Sequence, residues 1–399
     1  MRILIVTQYY YPENVVVSDI AKELRRRGHD VTVVTGKPNY GYDQILPEYK
    51  KVKYEVLDGV RIFRLNLKAR KKNRLSIIFN YLSFYFNSRR FLRHFKEEYD
   101  VVYSQSLSPI ISVSGANIYK KKHHINHVLH CLDLWPISPV ITHAVKMDGI
   151  LYKLLYRWSR SIYDKCDKIL LSSPSFIDYF KDTLHLEEKY YKYIPQPPLH
   201  IEGELDLKPI KYPEGFHFLY VGNIGKLQGV ELLPYVMKEV LKTRSDIYFH
   251  IIGKGQNQDK LKKNIEDLGV HSHCTYYGSI PMRKARYYYP DADCLYLSLI
   301  DDGVVGKTIP SKLISYLTYS KPILGVISGD GKKILEDTNG AIISTYDVST
   351  IVNHVLEIAN LKEEERNKMG QNNYKYYQSH FQLERIVDMI EKELLTKKI

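Results

Sequence analysis

Only four of the 399 residues are cysteines: Cys131, Cys166, Cys274 and Cys294, all far apart. With no CxxC pair and no cysteine–histidine cluster, a disulfide scaffold is excluded and a zinc site is not expected. Scattered thiols of this kind suit buried, reduced cysteines in a cytoplasmic protein. Nowhere do 18 apolar residues run together, so no membrane-spanning helix is expected. The opening Met1-Arg-Ile-Leu-Ile-Val is apolar for too few residues to be a signal peptide and reads as a first strand. Acid is in short supply: 45 Asp and Glu face 58 Lys and Arg, a net charge of +13. A basic surface points to an anionic partner, whether nucleic acid, phospholipid or phosphorylated substrate. No nucleic-acid-binding signature accompanies the charge, so no nucleic-acid partner is expected. What is present is ordinary globular material, 44% hydrophobic and 26% charged, enough for a real core. The 35 tyrosines read as compositional bias shared with Lys, Ile and Asn.

Strand and helix patterns alternate. Arg2 to Thr7 reads as a buried strand. Asp19 to Arg27 is helical, Gly28 stops it, and Asp30 to Thr35 is the next strand. Such a βαβ unit implies a parallel sheet with right-handed crossovers. Strands follow at 61–65, 101–104, 127–132 and 168–172. Pro195-Gln-Pro-Pro then breaks the pattern. A second series has strands near 216–221, 247–252, 274–277, 294–299, 322–326 and 341–343. The expected fold class is α/β, two doubly wound domains, 1–198 and 199–375, with a terminal helix, 376–399, packing back on the first. In such pairs a ligand sits at the carboxyl ends of the strands, in the cleft.

Three strand-to-loop junctions of the second half suit an anion. In residues 220–231, Gly222, Gly225 and Gly229 admit close backbone approach, Lys226 adds charge, and a helix is expected from Val230. A plain glycine turn is the alternative. In the second, Ile300 to Leu313, Gly306-Lys-Thr has a Walker-like look, but Asp301 stands where that loop needs glycine, so an ATPase loop is rejected. Amides near Gly306–Thr308, with Lys307 and Lys312, suit a diphosphate; equally, Lys307 reads as a solvated lysine. The third, Ile252-Gly-Lys-Gly, is weak, and none of the three matches GxGxxG.

On these residues the chain resembles the retaining family 4 glycosyltransferases with the GT-B fold, in particular the bacterial fucosaminyltransferase-like subgroup that builds O-antigen and capsule repeats. The resemblance rests on Gln8-Tyr-Tyr-Tyr-Pro-Glu-Asn, Arg27 to Gly36, Asp133-Leu-Trp-Pro, Gly222-Asn-Ile-Gly-Lys with Gln228-Gly-Val-Glu, and Thr308-Ile-Pro-Ser-Lys-Leu with Ser315-Tyr-Leu and Lys321-Pro. It implies a nucleotide-sugar donor, a lipid-linked saccharide acceptor, retention of configuration, and neither metal nor cofactor. Donor contacts are implied for Gly222, Asn223, Gly225, Lys226, Gly306, Lys307, Thr308, Lys312 and Ser315, and an acceptor side for Glu13, Asn14 and Asp133. Departures exist. Lys307 and Ser315 stand where many members carry two glutamates. Asn223 replaces an arginine, and Asn14 with Val15 to Val17 replaces a glycine pair.

Transfer builds charge on the leaving diphosphate, so Lys226 and Lys312 suit its stabilisation. Asp133, after a first-half strand, suits orienting or deprotonating the acceptor hydroxyl, or equally capping a turn. Asp291-Ala-Asp293 has DxD form but reads as a strand cap. Residues 68–96 hold nine Lys or Arg and no acid around the apolar stretch 75–86. That suits an interfacial helix against an anionic membrane, at the cytoplasmic face, or a core helix with solvated ends. Other classes also fit in part: a nucleotide-sugar epimerase or hydrolase of the same fold, or a non-catalytic partner subunit.

Overall fold

The computed structural model describes residues 1–71, 73–107, 109–141, 144–147, 149–199 and 211–396. The chain divides into two units, Met1–Leu199 with Leu383–Ile399, and His200–Gln382. Each is an α/β layer built on a mainly parallel sheet.

The first unit holds β1 (Arg2–Val6), β2 (Asp30–Gly36), β3 (Tyr54–Leu57), β4 (Val60–Leu65), β5 (Val101–Ser106), β6 (Asn126–Cys131), β7 (Lys168–Leu171) and β8 (Tyr190–Tyr193). Their order is β3-β4-β2-β1-β5-β6-β7-β8. All pairs are parallel except the hairpin β3–β4. Ile3 to Val6 are fully buried because helices cover both faces of a parallel sheet, and such strands read as continuous apolar runs. β3 and β8 escape that reading: both are edges, alternately exposed and half-buried. On either side of β1 the connections run in opposite directions, which places a crevice at the β1/β5 strand ends.

The helix Leu383–Leu395 closes the first unit. Ile386, Val387 and Ile390 pack with Ile20, Ala21 and Leu24 of the helix Val17–Arg26. Arg27 bonds Asp388 and Glu391, at 2.5 and 2.8 Å, and Lys168 reaches Glu393 at 3.2 Å. The expected break at 376 falls inside the helix Glu363–His380, which belongs to the second unit; the chain returns at Leu383. The expected boundary at 198–199 lies beside the 199/200 division.

The second unit holds β9 (Phe216–Val221), β10 (Ile247–Ile252), β11 (Cys274–Gly278), β12 (Cys294–Leu299), β13 (Ile323–Ile327) and β14 (Ala341–Ser344). They are ordered β11-β10-β9-β12-β13-β14 and every pair is parallel. Its switch point lies between β9 and β12. Among the described residues no helix is long and apolar enough to cross a membrane.

Candidate functional site

At the β9/β12 switch point the loop 222–229 is held from three sides. Gly222 and Ile224 donate to Ile252 and Lys254 carbonyls, at 2.9 and 3.0 Å. Gln228 accepts from the Gly225 amide and from Asn223 Nδ2, both at 3.1 Å. The Ile300 amide donates to Leu227 at 2.7 Å, and Ser298 Oγ donates to the Gln228 carbonyl. Gly229 takes a left-handed φ of 57°, where Tyr346 leaves no room for a side chain. Lys226 is thereby carried on an ordered turn and is exposed.

The expected helix start is displaced. Short 3₁₀ turns, Lys226–Gln228 and Val230–Leu232, come first, and the α-helix is Leu233–Val240. The reason is local: an α-helix from Val230 would need an amide hydrogen at position 234, and Pro234 has none. The third glycine loop also has a different role. A Cβ on Gly253 or Gly255 would strike the backbone of Gly222 or Ile224; these glycines let two loops pack.

Lys312, in the helix Ser311–Leu317, lies beneath Gly222. A Cβ on residue 222 would stand 2.6 Å from Lys312 Nζ. That ammonium is buried with no hydrogen-bond partner among the described residues and sits 3.6 Å over the Tyr220 ring. Burial pushes its pKa well below the ordinary lysine range. Tyr316 locks the helix in place: its hydroxyl accepts from the Val221 amide at 2.9 Å. Ser315 Oγ donates to its own helix, at Ser311 O, 3.2 Å.

In the 300–308 loop, two of the amides expected to form a cradle, those of Gly306 and Lys307, are bonded within the loop. Asp302 Oδ1 accepts from Val304 and Gly306 amides, at 3.1 and 2.7 Å, and Asp301 from Gly303, at 2.7 Å. The Lys307 amide donates to Val304 O at 3.4 Å. Gly306 is glycine because a Cβ would meet the Ile300 carbonyl and Asp301. Lys307 is exposed and Thr308 buried. Asp293 accepts from the His217 amide at 2.9 Å, a strand-cap role.

At the first unit's strand ends, Glu13 is buried. It accepts from the Tyr10, Asn39 and Tyr40 amides at 3.2, 2.8 and 2.6 Å. Burial pushes its carboxyl up to about 7 against those bonds. Glu13 therefore ties the β1 loop to the β2 loop rather than pointing outward, whereas Asn14 is exposed. Asp133 follows β6, and its Oδ1 accepts from Ser138 Oγ at 2.5 Å, the geometry of a turn cap. Burial raises the Tyr81 phenol and the Asp133 charge adds to that rise, so Asp133 and Tyr81 share one neighbourhood. The network missed from sequence links Gln8 to Asn80 at 2.7 Å and Asn80 to Asn39 at 2.9 Å. These residues lie 72 and 41 positions apart, so no spacing rule finds them. Among the described residues no metal-holding cluster of His, Cys, Asp or Glu occurs.

Two domain families match in tandem on these units. Residues 13–195 match "Glycosyl transferase 4-like domain" and residues 204–376 match "Glycosyl transferases group 1". The chain belongs to the family 4-like glycosyltransferases of GT-B fold. It is 26% identical over 221 residues to "Probable glycosyltransferase WbjE" of Pseudomonas aeruginosa, covering 53% of this chain and 54% of that protein. It is 24% identical over 142 residues to the lipopolysaccharide 1,6-galactosyltransferase of Salmonella typhimurium, covering 35% of this chain and 38% of that one. The chain thus spans about half or less of the length of these curated relatives. In fold it is similar to HepE of Anabaena, solved in complex with UDP, at a TM-score of 0.66 and 12% identity, over 99% of each chain.

Proposed function

We propose that this protein is a retaining hexosyltransferase of the fucosaminyltransferase-like subgroup, in bacterial surface polysaccharide synthesis (O-antigen or capsule). Its donor is a nucleotide sugar and its acceptor a lipid-linked saccharide. The second unit holds the donor and the first the acceptor. The observation that carries the donor assignment is the Lys312 ammonium, buried without a hydrogen-bond partner beneath Gly222. An unpartnered buried cation is costly, and a diphosphate oxygen at the Gly222 turn would satisfy it. Lys226 adds a second charge on the same loop, and the UDP bound by HepE supports a nucleoside diphosphate there. Asn223, Gly225, Lys307, Thr308 and Ser315 lie along the same two segments.

In the reaction, the sugar C1–O bond to the diphosphate breaks as the acceptor oxygen bonds C1 on the same face. Lys226 and Lys312 stabilise the charge gathering on the leaving diphosphate. The acceptor proton leaves to the diphosphate or to Asp133, which also orients the hydroxyl. The test is calorimetric titration with UDP, GDP and dTDP, then turnover on a lipid-linked saccharide with the product anomer read by NMR. No diphosphate binding, or an inverted product, would sink the reading.

A membrane-facing surface is part of the proposal, at the inner face of the cell membrane. The helix Arg74–His94 buries Asn80, Phe84, Ser88 and Leu92 and turns Leu75, Ile78, Phe79 and Phe86 outward. The helix Ile150–Asp164 lies beside it through the Tyr85–Trp158 contact, 5.2 Å between rings, and exposes Ile150, Leu151 and Leu154. These outward side chains are 50% to 82% exposed, an apolar surface of the kind that marks an interface. Lys71, Arg74, Arg90 and Arg93 are exposed near it, which suits anionic lipid.

A further inference from the structure

Arg70 sits at the strand-end pole of the first unit inside a cage of tyrosines. Its Nη1 donates to the Tyr9 and Tyr81 hydroxyls, at 3.3 and 3.0 Å. Its guanidinium carbon stands 5.1 Å from the Tyr40 ring centroid and 5.4 Å from that of Tyr81. Its backbone amide is fixed to Asn39 Oδ1 at 3.0 Å. Among the described residues it forms no ion pair, and its Nε and Nη2 hydrogens have no partner. Glu13, the nearby carboxylate, is spent on backbone amides.

The hydroxyls add to the surplus of donors. Tyr9 Oη accepts from Arg70 and from Gln8 Nε2, at 3.3 Å each, and Tyr81 Oη accepts from Arg70. Among the described residues neither phenol hydrogen meets an acceptor. The Nε–Nη2 edge of the guanidinium is therefore open, on the side away from Nη1, which the two phenols hold in place; of the carboxylates nearby, Glu13 is engaged by amides and the Asp133 charge acts on Tyr81. That edge is the fork that holds a carboxylate or phosphate by two parallel bonds. The exposed Tyr40 ring forms a flat wall beside it, suited to a sugar face.

We propose that Arg70, held at Nη1 by the Tyr9 and Tyr81 hydroxyls, is an anion-recognition site for a phosphate or carboxylate carried by the acceptor, which its open Nε–Nη2 edge would receive. It rests on the reading of the first unit as the acceptor side. A phosphate would be the linkage between saccharide and lipid; a carboxylate would belong to an acidic sugar.

The experiment titrates the full chain with pyrophosphate, glucuronate and glucose, in wild type and in Arg70→Gln, Arg70→Lys, Tyr81→Phe and Lys226→Ala. Pyrophosphate can also meet the Lys226 loop, so the variants assign each binding event. In wild type, pyrophosphate or glucuronate should bind in a salt-sensitive way and glucose should not; whichever anion binds names the source. Arg70→Gln should weaken that event at least about tenfold, as for a lost hydrogen bond to a charged group. Arg70→Lys should weaken it less, and Lys226→Ala should leave it unchanged. If Arg70→Gln does not fold, Arg70→Lys and Tyr81→Phe decide. Binding unaffected by any Arg70 or Tyr81 variant, or no anion binding in wild type, overturns the proposal. UDP titration reads the donor assignment separately, so failure there leaves the Arg70 result interpretable.

Discussion

Gly222 lies directly over the ammonium of Lys312, with room for no side chain between them. Gly222→Ala should push the lysine out of its seat over Tyr220 and cost on the order of 1–3 kcal/mol of stability by overpacking. Lys312→Met separates binding from folding. It fills a similar volume without a buried amine, so the melting temperature should hold or rise. Nucleoside diphosphate affinity should fall at least about tenfold, as for a lost charge-assisted bond. Equal affinity in wild type and Lys312→Met by calorimetry would reduce Lys312 to a packing residue.

Lys226 is exposed on its turn, and the loop's hydrogen bonds are made by its neighbours Gly222, Ile224, Gly225, Leu227 and Gln228. Lys226→Ala should therefore melt like wild type. If the lysine meets the leaving diphosphate, kcat should drop on the order of 10²–10³-fold, the range for removing one oxyanion donor. Unchanged turnover at saturating donor would contradict this.

The central strands were legible because parallel strands buried on both faces are unbroken apolar runs, as in Ile3 to Val6 and Phe218 to Val221. Edge strands such as Tyr190-Tyr-Lys-Tyr carry no such signal. In the loops, glycine was legible but its purpose was not. Gly222 admits a lysine from beneath, Gly253 admits a neighbouring backbone, and Gly306 clears the Ile300 carbonyl and the Asp301 backbone. Gly222 and Gly306 read as phosphate-loop glycines, and Gly253 weakly so, because the deciding partner comes from elsewhere in the fold. The Arg70 cage joins residues from three segments, and only the folded chain assembles them.

Acid should destabilise the first unit. His127 and His130 are fully buried, and burial lowers them to about 3 and about 4. An unfolded histidine titrates near ~6.5. Each thus contributes stability that is complete above that pH and is lost as pH falls toward the folded value. Glu13, raised by burial to about 7, acts in the opposite sense, favouring the fold as pH falls. From about pH 6.5 to 4.5 two histidines outweigh one glutamate, a net loss of about 1.4 kcal/mol per pH unit. Both tryptophans, Trp135 and Trp158, lie in the first unit, so fluorescence reads that unit alone. The urea midpoint should be lower at pH 5 than at pH 7, and Glu13→Gln should steepen the difference. A midpoint that holds or rises on acidification would contradict the assignment.

The outward face of the helix Arg74–His94 decides the membrane question. Basic residues near it are not equivalent: Arg89 donates to Ser114 Oγ at 2.6 Å and stacks on Tyr85, so it braces the unit and is a poor choice for mutation. Lys71, Arg74, Arg90 and Arg93 are exposed, and replacing all four with Gln removes charge without touching that brace. Each charge near an anionic leaflet is worth about 1 kcal/mol, and attraction decays over about 8 Å at physiological salt. Wild type should float with phosphatidylglycerol vesicles and be released by salt, while the Gln variant stays in solution. Phe79→Ser with Phe86→Ser tests the apolar part, and should weaken flotation even at low salt. Both variants should keep wild-type melting, because none of the six side chains is buried. If wild type never floats, the exposed face serves another contact and the lipid-linked acceptor reaches the first unit without it.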